Sequence, residues 1–195
     1  MSLDGAYFDR LYATSTDPWG FATRWYEQRK YALTLAALPA PHYESALEIG
    51  CSVGVLTALL AGRCSALLAL DPSAGALEQA RTRVPDHVTL TRASVPRDWP
   101  TGRFDLVVLS EVGYYLDPAD LEELLDLVQS SLTPGGTVLA CHWRHEVADY
   151  PQSGDAVHLA LQRWPRLSRT LEEDFVLDVL VPGGADSVAR QGGLV

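Results

Sequence analysis

Short apolar runs alternate with helical patterns along most of this chain, and this alternation limits the possible folds more than any other feature. Five runs read as buried strands, at residues 46–50, 66–71, 88–93, 104–110 and 137–142. The clearest helical pattern between them puts five apolar side chains on one face: Leu121, Leu124, Leu125, Val128 and Leu132. We expect Asp117 to cap this helix, with Pro118 in its first turn. Such alternation is typical of a parallel sheet covered on both faces.

Two more β-like runs close the pattern, at residues 167–174 and 175–181. They are too close together for a crossover helix, so they must form an antiparallel hairpin. A helix is expected before them, around residues 156–164. The predicted fold is therefore α/β, a Rossmann-like three-layer sandwich with a seven-stranded, mostly parallel sheet and an antiparallel terminal hairpin.

A length of 195 residues favours one domain. Residues 1–41 are rich in aromatic side chains and are predicted to form a loop and then a helix at about 23–38. These aromatics either pack the helix onto the sheet or form a helical lid over a pocket. Residues 42–181 form the core that carries the site. Residues 182–195 have few anchors and are expected to be flexible.

The composition excludes several functions. The formal net charge of −10 repels phosphate backbones and anionic membranes, so neither nucleic acid nor a membrane is an expected partner. No apolar run approaches the roughly 20 residues of a membrane span, and the acidic start does not resemble a secretory signal, which predicts a cytoplasmic protein. The three cysteines have no metal-ligand spacing, so no metal is expected.

The stretch ALEIGCSVGVL, residues 46–56, fits two different chemistries. Gly50 to Gly54 spell G-x-S-x-G, in which Ser52 would be the nucleophile of a hydrolase, with His142 or His145 as its base and Asp117 as its acid. The same residues also form a glycine-rich turn that could hold a cofactor. The position after the first strand favours the cofactor turn, because ligands of open α/β sheets bind at this edge.

An acidic residue at the end of the second strand supports that choice. Asp71 follows Gly50 at the spacing of a carboxylate that accepts hydrogen bonds from ribose hydroxyls. The turn lacks the extra glycines of a dinucleotide site, and Glu48 precedes it by two residues. A carboxylate there suits a cationic ligand without phosphate. S-adenosylmethionine has a sulfonium, an ammonium and a ribose, and it satisfies these conditions.

Four segments, ALEIGCSVG, LLALDPS, FDLVVLSEVGYYL and LTPGGTVLACHW, resemble the motifs of class I S-adenosylmethionine-dependent methyltransferases. The flanking segments FDRLYATSTDPWGF, YEQRKYALTLAALP and DYPQSGDAVH are similar to the nodulation protein S type of N-methyltransferase. That family methylates the amine of a de-N-acetylated chitin oligosaccharide. The resemblance implies a small-molecule or oligosaccharide acceptor, S-adenosylhomocysteine as the second product, and a monomer or weak homodimer.

The resemblance and the turn together give a set of candidate cofactor-binding residues: Glu48, Gly50, Ser52, Gly54, Asp71, Pro72, Ser94, Ser110, Trp19 and Arg29. Relatives often carry an acid near Ser94, where a hydroxyl would bind the adenine amino group less strongly. Trp19 and Arg29 belong to the lid candidates for the methionine carboxylate, together with Arg24, Tyr26 and Lys30. Gly113 stands where a larger apolar residue is expected, which predicts a looser floor of the acceptor site.

Three residues are candidates for catalysis, Glu111, Tyr114 and His142, since all lie at strand ends where methyl and acceptor would meet. Glu111 could hold an ammonium and accept its proton, or it could bind an arginine of the lid and only close the site. The main hypothesis is methyl transfer to an amine, such as an aminosugar. The alternatives are an O- or S-methyltransferase, a serine hydrolase that uses Ser52, and a non-catalytic S-adenosylmethionine-binding module.

Overall fold

The computed structural model describes residues 1–195 and is built around one seven-stranded sheet. In chain order the strands are β1 (Tyr43–Ile49), β2 (Cys64–Asp71), β3 (Val88–Arg92), β4 (Phe104–Ser110), β5 (Leu132–Trp143), β6 (Arg166–Leu171) and β7 (Phe175–Leu180). Their order across the sheet is β3-β2-β1-β4-β5-β7-β6.

The directions of the strands agree with the sequence-based prediction. Strands β1 to β5 pair in parallel, and β7 pairs antiparallel with both β5 and β6. The predicted α/β fold with a terminal antiparallel hairpin is thus confirmed. The chain leaves β1 for one half of the sheet and returns to the other half beside β1, at β4. The crevice between the carboxyl ends of β1 and β4 is the switch point, where open α/β sheets bind ligands.

The structure contains seven α-helices: α1 (Gly5–Thr14), α2 (Trp25–Ala37), α3 (Val55–Ala61), α4 (Ala74–Arg81), α5 (Pro118–Ser131), α6 (Gly154–Ala160) and α7 (Val188–Gln191). Short 3₁₀ helices occupy Gly113–Tyr115 and Leu161–Arg163. Buried apolar side chains fill the space on both faces of the sheet, which makes three layers. No helix combines the length and the apolar character that crossing a bilayer requires.

Helix α5 forms where its pattern predicts. The carboxylate of Asp117 accepts hydrogen bonds from the backbone N–H groups of Ala119 and Asp120, which would otherwise lack partners, and Pro118 occupies the first turn. The apolar stripe of the helix is buried. Strand β5 begins earlier than predicted, at Leu132. An irregularity opposite Phe104–Leu106 absorbs the extra residues around "TPGG".

Helix α1 was not predicted, because the sequence was interpreted as a loop before residue 23. The Asp4 carboxylate caps this helix by accepting a hydrogen bond from Tyr7 N at 2.9 Å. None of its residues is buried, although its sequence is amphipathic, with Phe8 and Tyr12 on one face. Two contacts hold it over the sheet edge: Leu3 N donates to Tyr115 O at 2.8 Å, and Arg92 donates to Asp9 at 2.9 Å. The division into lid, core and flexible tail stays a prediction.

Candidate functional site

A cavity opens at the carboxyl ends of β1, β2 and β4, under helix α1. It is lined by most of the residues expected to bind a cofactor: Trp19, Glu48, Gly50, Ser52, Asp71, Pro72, Ser94 and Ser110. Helix α1 and the segments after it contribute further lining from Phe8, Tyr12, Phe21 and Tyr31. These belong to the aromatic residues of segment 1–41 for which a lid was one of the two interpretations, but they were not among the cofactor-binding candidates. A helical reading of residues 5–14 would have placed Phe8 and Tyr12 on one face, because they are four residues apart.

The glycine-rich turn after β1 has an unusual backbone. Gly50, Ser52 and Gly54 have φ values of 73°, 51° and 80°, a region that favours glycine. A Cβ atom on Gly50 would lie 2.3 Å from Cγ2 of Val112, so glycine lets the turn after β4 approach the cavity wall. A Cβ atom on Gly54 would lie 2.9 Å from the Cα and Cβ atoms of Ala80.

The predicted role of Gly54 therefore needs correction. Its missing side chain faces helix α4 rather than the cavity, and Gly54 is not part of the lining. The residue is needed for the left-handed cap of α3 and for the close approach of this turn to Ala80 of α4. Gly50 and Ser52 do line the cavity, as the sequence analysis expected.

Asp71 connects the turn to the second strand. Its two carboxylate oxygens accept hydrogen bonds from Ser52 N and Ser73 N, both at 2.8 Å. Burial raises the pKa of Asp71 to about 6, although these two backbone donors favour the ionised form. Each oxygen keeps a second lone pair, so the carboxylate can still accept hydrogen bonds from a ligand in the cavity.

Glu48 is the most unusual carboxylate of the cavity. Its side chain is 2% exposed, and Oε2 has no hydrogen bond of normal geometry, although the Thr57 hydroxyl is close enough to lower the pKa of the carboxyl. Burial raises the pKa of Glu48 to about 7, and the charge of Asp71 adds to the effect. A buried carboxylate oxygen without a donor is costly in the free protein. The arrangement suits a ligand that brings a cation or an N–H donor to this oxygen.

No Lys or Arg side chain lines the cavity, and this corrects the expected arginine clamp. The guanidinium of Arg29 instead makes two hydrogen bonds to Glu172, at 2.7 and 2.8 Å, with 44% of the arginine side chain exposed. The predicted clamp fails because residue 29 lies on the outer side of α2, where the hairpin supplies a nearer carboxylate. Among the aromatic side chains of the lining, Tyr12, Trp19 and Tyr31 carry hydrogen-bond donors.

Glu111 lies at the end of β4 with φ of 59°, and it reaches the cavity wall. Its Oε1 accepts a hydrogen bond from Lys30 Nζ at 2.6 Å, while Oε2 accepts from the Tyr114 hydroxyl at 2.5 Å and from Trp143 N at 3.0 Å. Three donors from three segments engage this carboxylate. The structure therefore favours an ion pair with the lid over the role of a free base, but the expected arginine partner was wrong, because the cation is Lys30.

Tyr114 is displaced from its predicted place in the pocket. Its ring is buried and stacks on Tyr150, with ring centroids 5.0 Å apart, and its hydroxyl points to Glu111. The neighbouring Tyr115 lines the cavity instead, next to Phe8 of α1. The tight 3₁₀ turn that begins at Gly113 explains the exchange, because consecutive side chains of such a turn point in different directions.

His142 also lies outside the cavity, although it was a candidate base. It is fully buried, and its Nε2 atom accepts a hydrogen bond from Gly113 N at 3.0 Å. Burial lowers the pKa of its imidazole. The expected loose floor at Gly113 is absent as well, because Val157 fills the space: a Cβ atom on Gly113 would lie 2.6 Å from Val157 Cγ1.

The surroundings of Ser52 contradict the hydrolase alternative. The Ser52 hydroxyl lies 2.5 Å from the hydroxyl of Tyr12 and has no histidine partner. His142 bonds to Gly113, His145 bonds to Asp174, and Asp117 caps α5. A nucleophilic serine needs a base within hydrogen-bond reach. Residues Gly50 to Gly54 therefore match the hydrolase motif in sequence but lack the base that the motif requires.

The comparisons with known proteins agree with this geometry. The model of the Nodulation protein S (NodS) family matches residues 9–157. Nodulation protein S of Bradyrhizobium diazoefficiens is 29% identical over 191 residues, which cover 90% of this chain and 91% of that protein. A crystal structure from Pseudomonas syringae, described only provisionally as a methyltransferase, is 46% identical with a TM-score of 0.72 and covers 81% of this chain and 99% of that one.

The fold is also similar to the N-methyltransferase NodS of Bradyrhizobium japonicum WM9, which was crystallised with S-adenosyl-L-homocysteine. The TM-score is 0.83 at 23% sequence identity, and the match covers 92% of this chain and 98% of that chain. At this identity the likeness supports the fold alone. The family model spans most of the chain and includes the glycine turn, Asp71 and Glu111. The chain therefore belongs to the Nodulation protein S family of methyltransferases, as its motifs predicted.

Proposed function

We propose that this chain transfers the methyl group of S-adenosylmethionine to the nitrogen of an amine on a small molecule or oligosaccharide, with an aminosugar as the preferred acceptor. Methyl transfer from this cofactor is the activity of the family, and the acceptor is the new part of the proposal. The finding that carries the choice of an amine is that Glu111, the carboxylate at the acceptor end, is engaged by three donors and is not free to act as a general base. The other carboxylates of the lining, Glu48 and Asp71, are assigned to the cofactor.

The residues present fit the cofactor. The orphaned Oε2 of Glu48 and the absence of Lys and Arg from the lining suit a ligand with cationic groups. Glu48 and the turn residues Gly50 and Ser52 would hold its amino acid end. Asp71 would accept hydrogen bonds from the ribose hydroxyls, and Pro72 and Ser94 would border the adenine. When bound, S-adenosylmethionine supplies a methyl group already activated by a sulfonium, so that a nucleophile can attack it directly.

The acceptor must therefore bring its own nucleophilic lone pair. The lining contains no histidine, and the carboxylate of Glu111 is engaged by Lys30, Tyr114 and Trp143 N. A neutral amine attacks a methyl group without prior deprotonation, whereas an alcohol needs a base. The protein orients the two reactants and excludes water, which supplies much of the rate enhancement. The rate should rise with pH as the acceptor ammonium loses its proton to solvent.

Transfer to nitrogen is also supported by the similar protein from Bradyrhizobium japonicum, which is described as an N-methyltransferase. Around Glu111 the structure adds aromatic surfaces of a kind that stack on sugar rings, from Tyr115, Tyr150 and Trp143. Tyr115 lines the cavity, and Tyr150 packs against it with ring centroids 4.8 Å apart.

A panel of matched acceptors tests the proposal. Glucosamine and chitosan oligomers would be compared with their N-acetylated forms, with a phenol and with a thiol, and S-adenosylhomocysteine would be measured between pH 6 and 9. We expect product only with free amines. Product from the phenol or thiol would favour O- or S-transfer. Binding of S-adenosylhomocysteine without turnover of any acceptor would support a non-catalytic binding module and contradict the proposal.

A further inference from the structure

Two histidines and an aspartate form a buried chain of hydrogen bonds beside the site. His142 Nδ1 lies 3.0 Å from His158 Nε2, and His158 Nδ1 lies 2.7 Å from Asp178 Oδ2. The three side chains are 0%, 3% and 1% exposed. These hydrogen bonds connect β5 with α6 and α6 with β7, and none of the three residues lines the cavity.

The partners at the two ends of this series of hydrogen bonds determine which ring nitrogen of each histidine carries the proton. Gly113 N can only donate, so His142 Nε2 accepts, and the proton of this neutral imidazole must be on Nδ1. That proton is donated to Nε2 of His158, whose own proton is then on Nδ1 and faces Asp178. At the far end, Arg169 donates two hydrogen bonds to the Asp178 carboxylate, at 2.5 and 2.7 Å, which keeps the carboxylate ionised and accepting.

His142, at one end of this series of hydrogen bonds, binds the turn that follows β4. Gly113 starts the 3₁₀ helix Gly113–Tyr115, which brings Tyr115 to the cavity and the Tyr114 hydroxyl to Glu111. Gly113 and His142 are matched in shape, because a Cβ atom at position 113 would lie 3.1 Å from His142 Nε2 and closer still to Val157. A backbone N–H fixed by a buried acceptor leaves this turn little freedom.

We propose that His142, His158 and Asp178 form a positioning relay, through which the carboxyl-terminal hairpin fixes the turn at residues 112–115 against the acceptor end of the cavity. This inference rests on the proposed function for its effect on catalysis. These residues touch neither reactant and exchange no proton with them. They act through Gly113 on the placement of Tyr115, and through Tyr114 on Glu111.

Variants of His142 test the relay, because they should lower kcat/KM for the acceptor while the affinity for S-adenosylhomocysteine changes little. His142→Leu removes the acceptor for Gly113 N–H at similar volume, and it should lower kcat/KM for the amine about tenfold. The Kd of S-adenosylhomocysteine should change less than about threefold, because Glu48 and Asp71 are untouched. His142→Gln places an amide oxygen near the lost Nε2 and should restore most of the activity. His145→Leu is the matched control, since His145 is exposed and bonds to Asp174 outside the cavity.

Two measurements do not depend on the acceptor and separate a failure of the relay from a failure of the proposed function. In the wild-type protein at pH 8, nitrogen-15 NMR should show both buried imidazoles neutral and protonated on Nδ1. Hydrogen exchange at the Gly113 amide should be slow in the wild type and in His142→Gln and faster in His142→Leu. The relay is overturned if either ring carries its proton on Nε2, if Gly113 exchange is equal in all three proteins, or if His142→Leu keeps wild-type kcat/KM for an active amine. If no amine is methylated by the wild type, the proposed function fails and the tautomers and exchange decide the relay.

Discussion

The Nζ atom of Lys30 lies 2.6 Å from Oε1 of Glu111 and thereby joins the middle of α2 to the end of β4. Lys30 is 2% exposed and also lies 2.9 Å from Oε2 of Glu27. Burial alone would lower the pKa of Lys30, but the two carboxylates outweigh it and raise the pKa above its ordinary value. The amino-terminal segment is thus attached to the cavity wall by a buried charge cluster.

Removal of the ammonium from this cluster should destabilise the fold. Lys30→Met keeps most of the volume but leaves Glu27 and Glu111 without their shared cation, and we expect a loss of about 3–5 kcal/mol in the free energy of unfolding. Urea denaturation followed by circular dichroism measures it. The double variant Lys30→Met with Glu111→Gln should recover part of the loss. A single Lys30→Met variant as stable as the wild type would show that the ion pair is not formed in solution.

Asp71 should be required for cofactor binding more than for folding. Asp71→Asn replaces an acceptor oxygen by an amide N–H that faces Ser52 N or Ser73 N, and it removes the charge. We expect the Kd for S-adenosylhomocysteine to rise by about 10- to 100-fold in calorimetric titration. Asp86→Asn makes the same chemical change on the exposed loop before β3 and should leave the Kd unaltered. Equal affinities of the two variants would remove Asp71 from the site.

The buried Glu48 predicts how the stability of the ligand-free protein depends on pH. Its pKa rises from 4.5 to about 7 on folding, so between these values the folded state holds more protons than the unfolded state. The contribution of Glu48 to stability must then fall as the pH rises through this window, by about 3 kcal/mol. Glu48→Gln cannot ionise and should flatten that slope. Urea midpoints measured between pH 4.5 and 8 test the difference, and parallel curves for both proteins would contradict it.

The packing role of Gly54 can be tested by a separate substitution. Gly54→Ala adds a methyl group against Ala80 in a left-handed backbone, and we expect a loss of about 2–4 kcal/mol in unfolding free energy. Gly135→Ala is the matched control, because φ there is 76° but no atom lies within 4 Å of the added Cβ. It should lose only about 1 kcal/mol, from backbone strain. The difference between the two alanine variants reports the close approach of Gly54 to Ala80 of α4, and equal losses would refute this contact.

The parts of the fold that depend on local patterns were predicted well from the sequence. The capped, one-sided pattern of α5 predicts a helix, and the short connection between β6 and β7 predicts an antiparallel hairpin. The structure contains both. Helix α1 was missed although its sequence is amphipathic, because the aromatic segment before residue 23 was interpreted as a loop. The cavity residues at the ends of β1 and β2 could be predicted because the carboxyl ends of parallel strands meet at one edge of the sheet.

The roles of the polar residues around the acceptor end could not be predicted in the same way. Lys30 and Glu111 are 81 positions apart, and His158 and Asp178 reach His142 from two other elements. A sequence shows that a carboxylate or an imidazole stands at a strand end, but not which distant donor engages it. Arg29 illustrates the point, because its partner Glu172 lies 143 positions away.

The position of the transferred methyl group tests the central claim most directly. The wild-type protein would be incubated with a chitosan oligomer and S-adenosylmethionine carrying a carbon-13 methyl group, and the product would be examined by NMR. We predict a labelled methyl on the amine nitrogen, with one S-adenosylhomocysteine formed for each methyl transferred. A label on a hydroxyl oxygen, or no labelled product while S-adenosylhomocysteine binds tightly, would contradict the account.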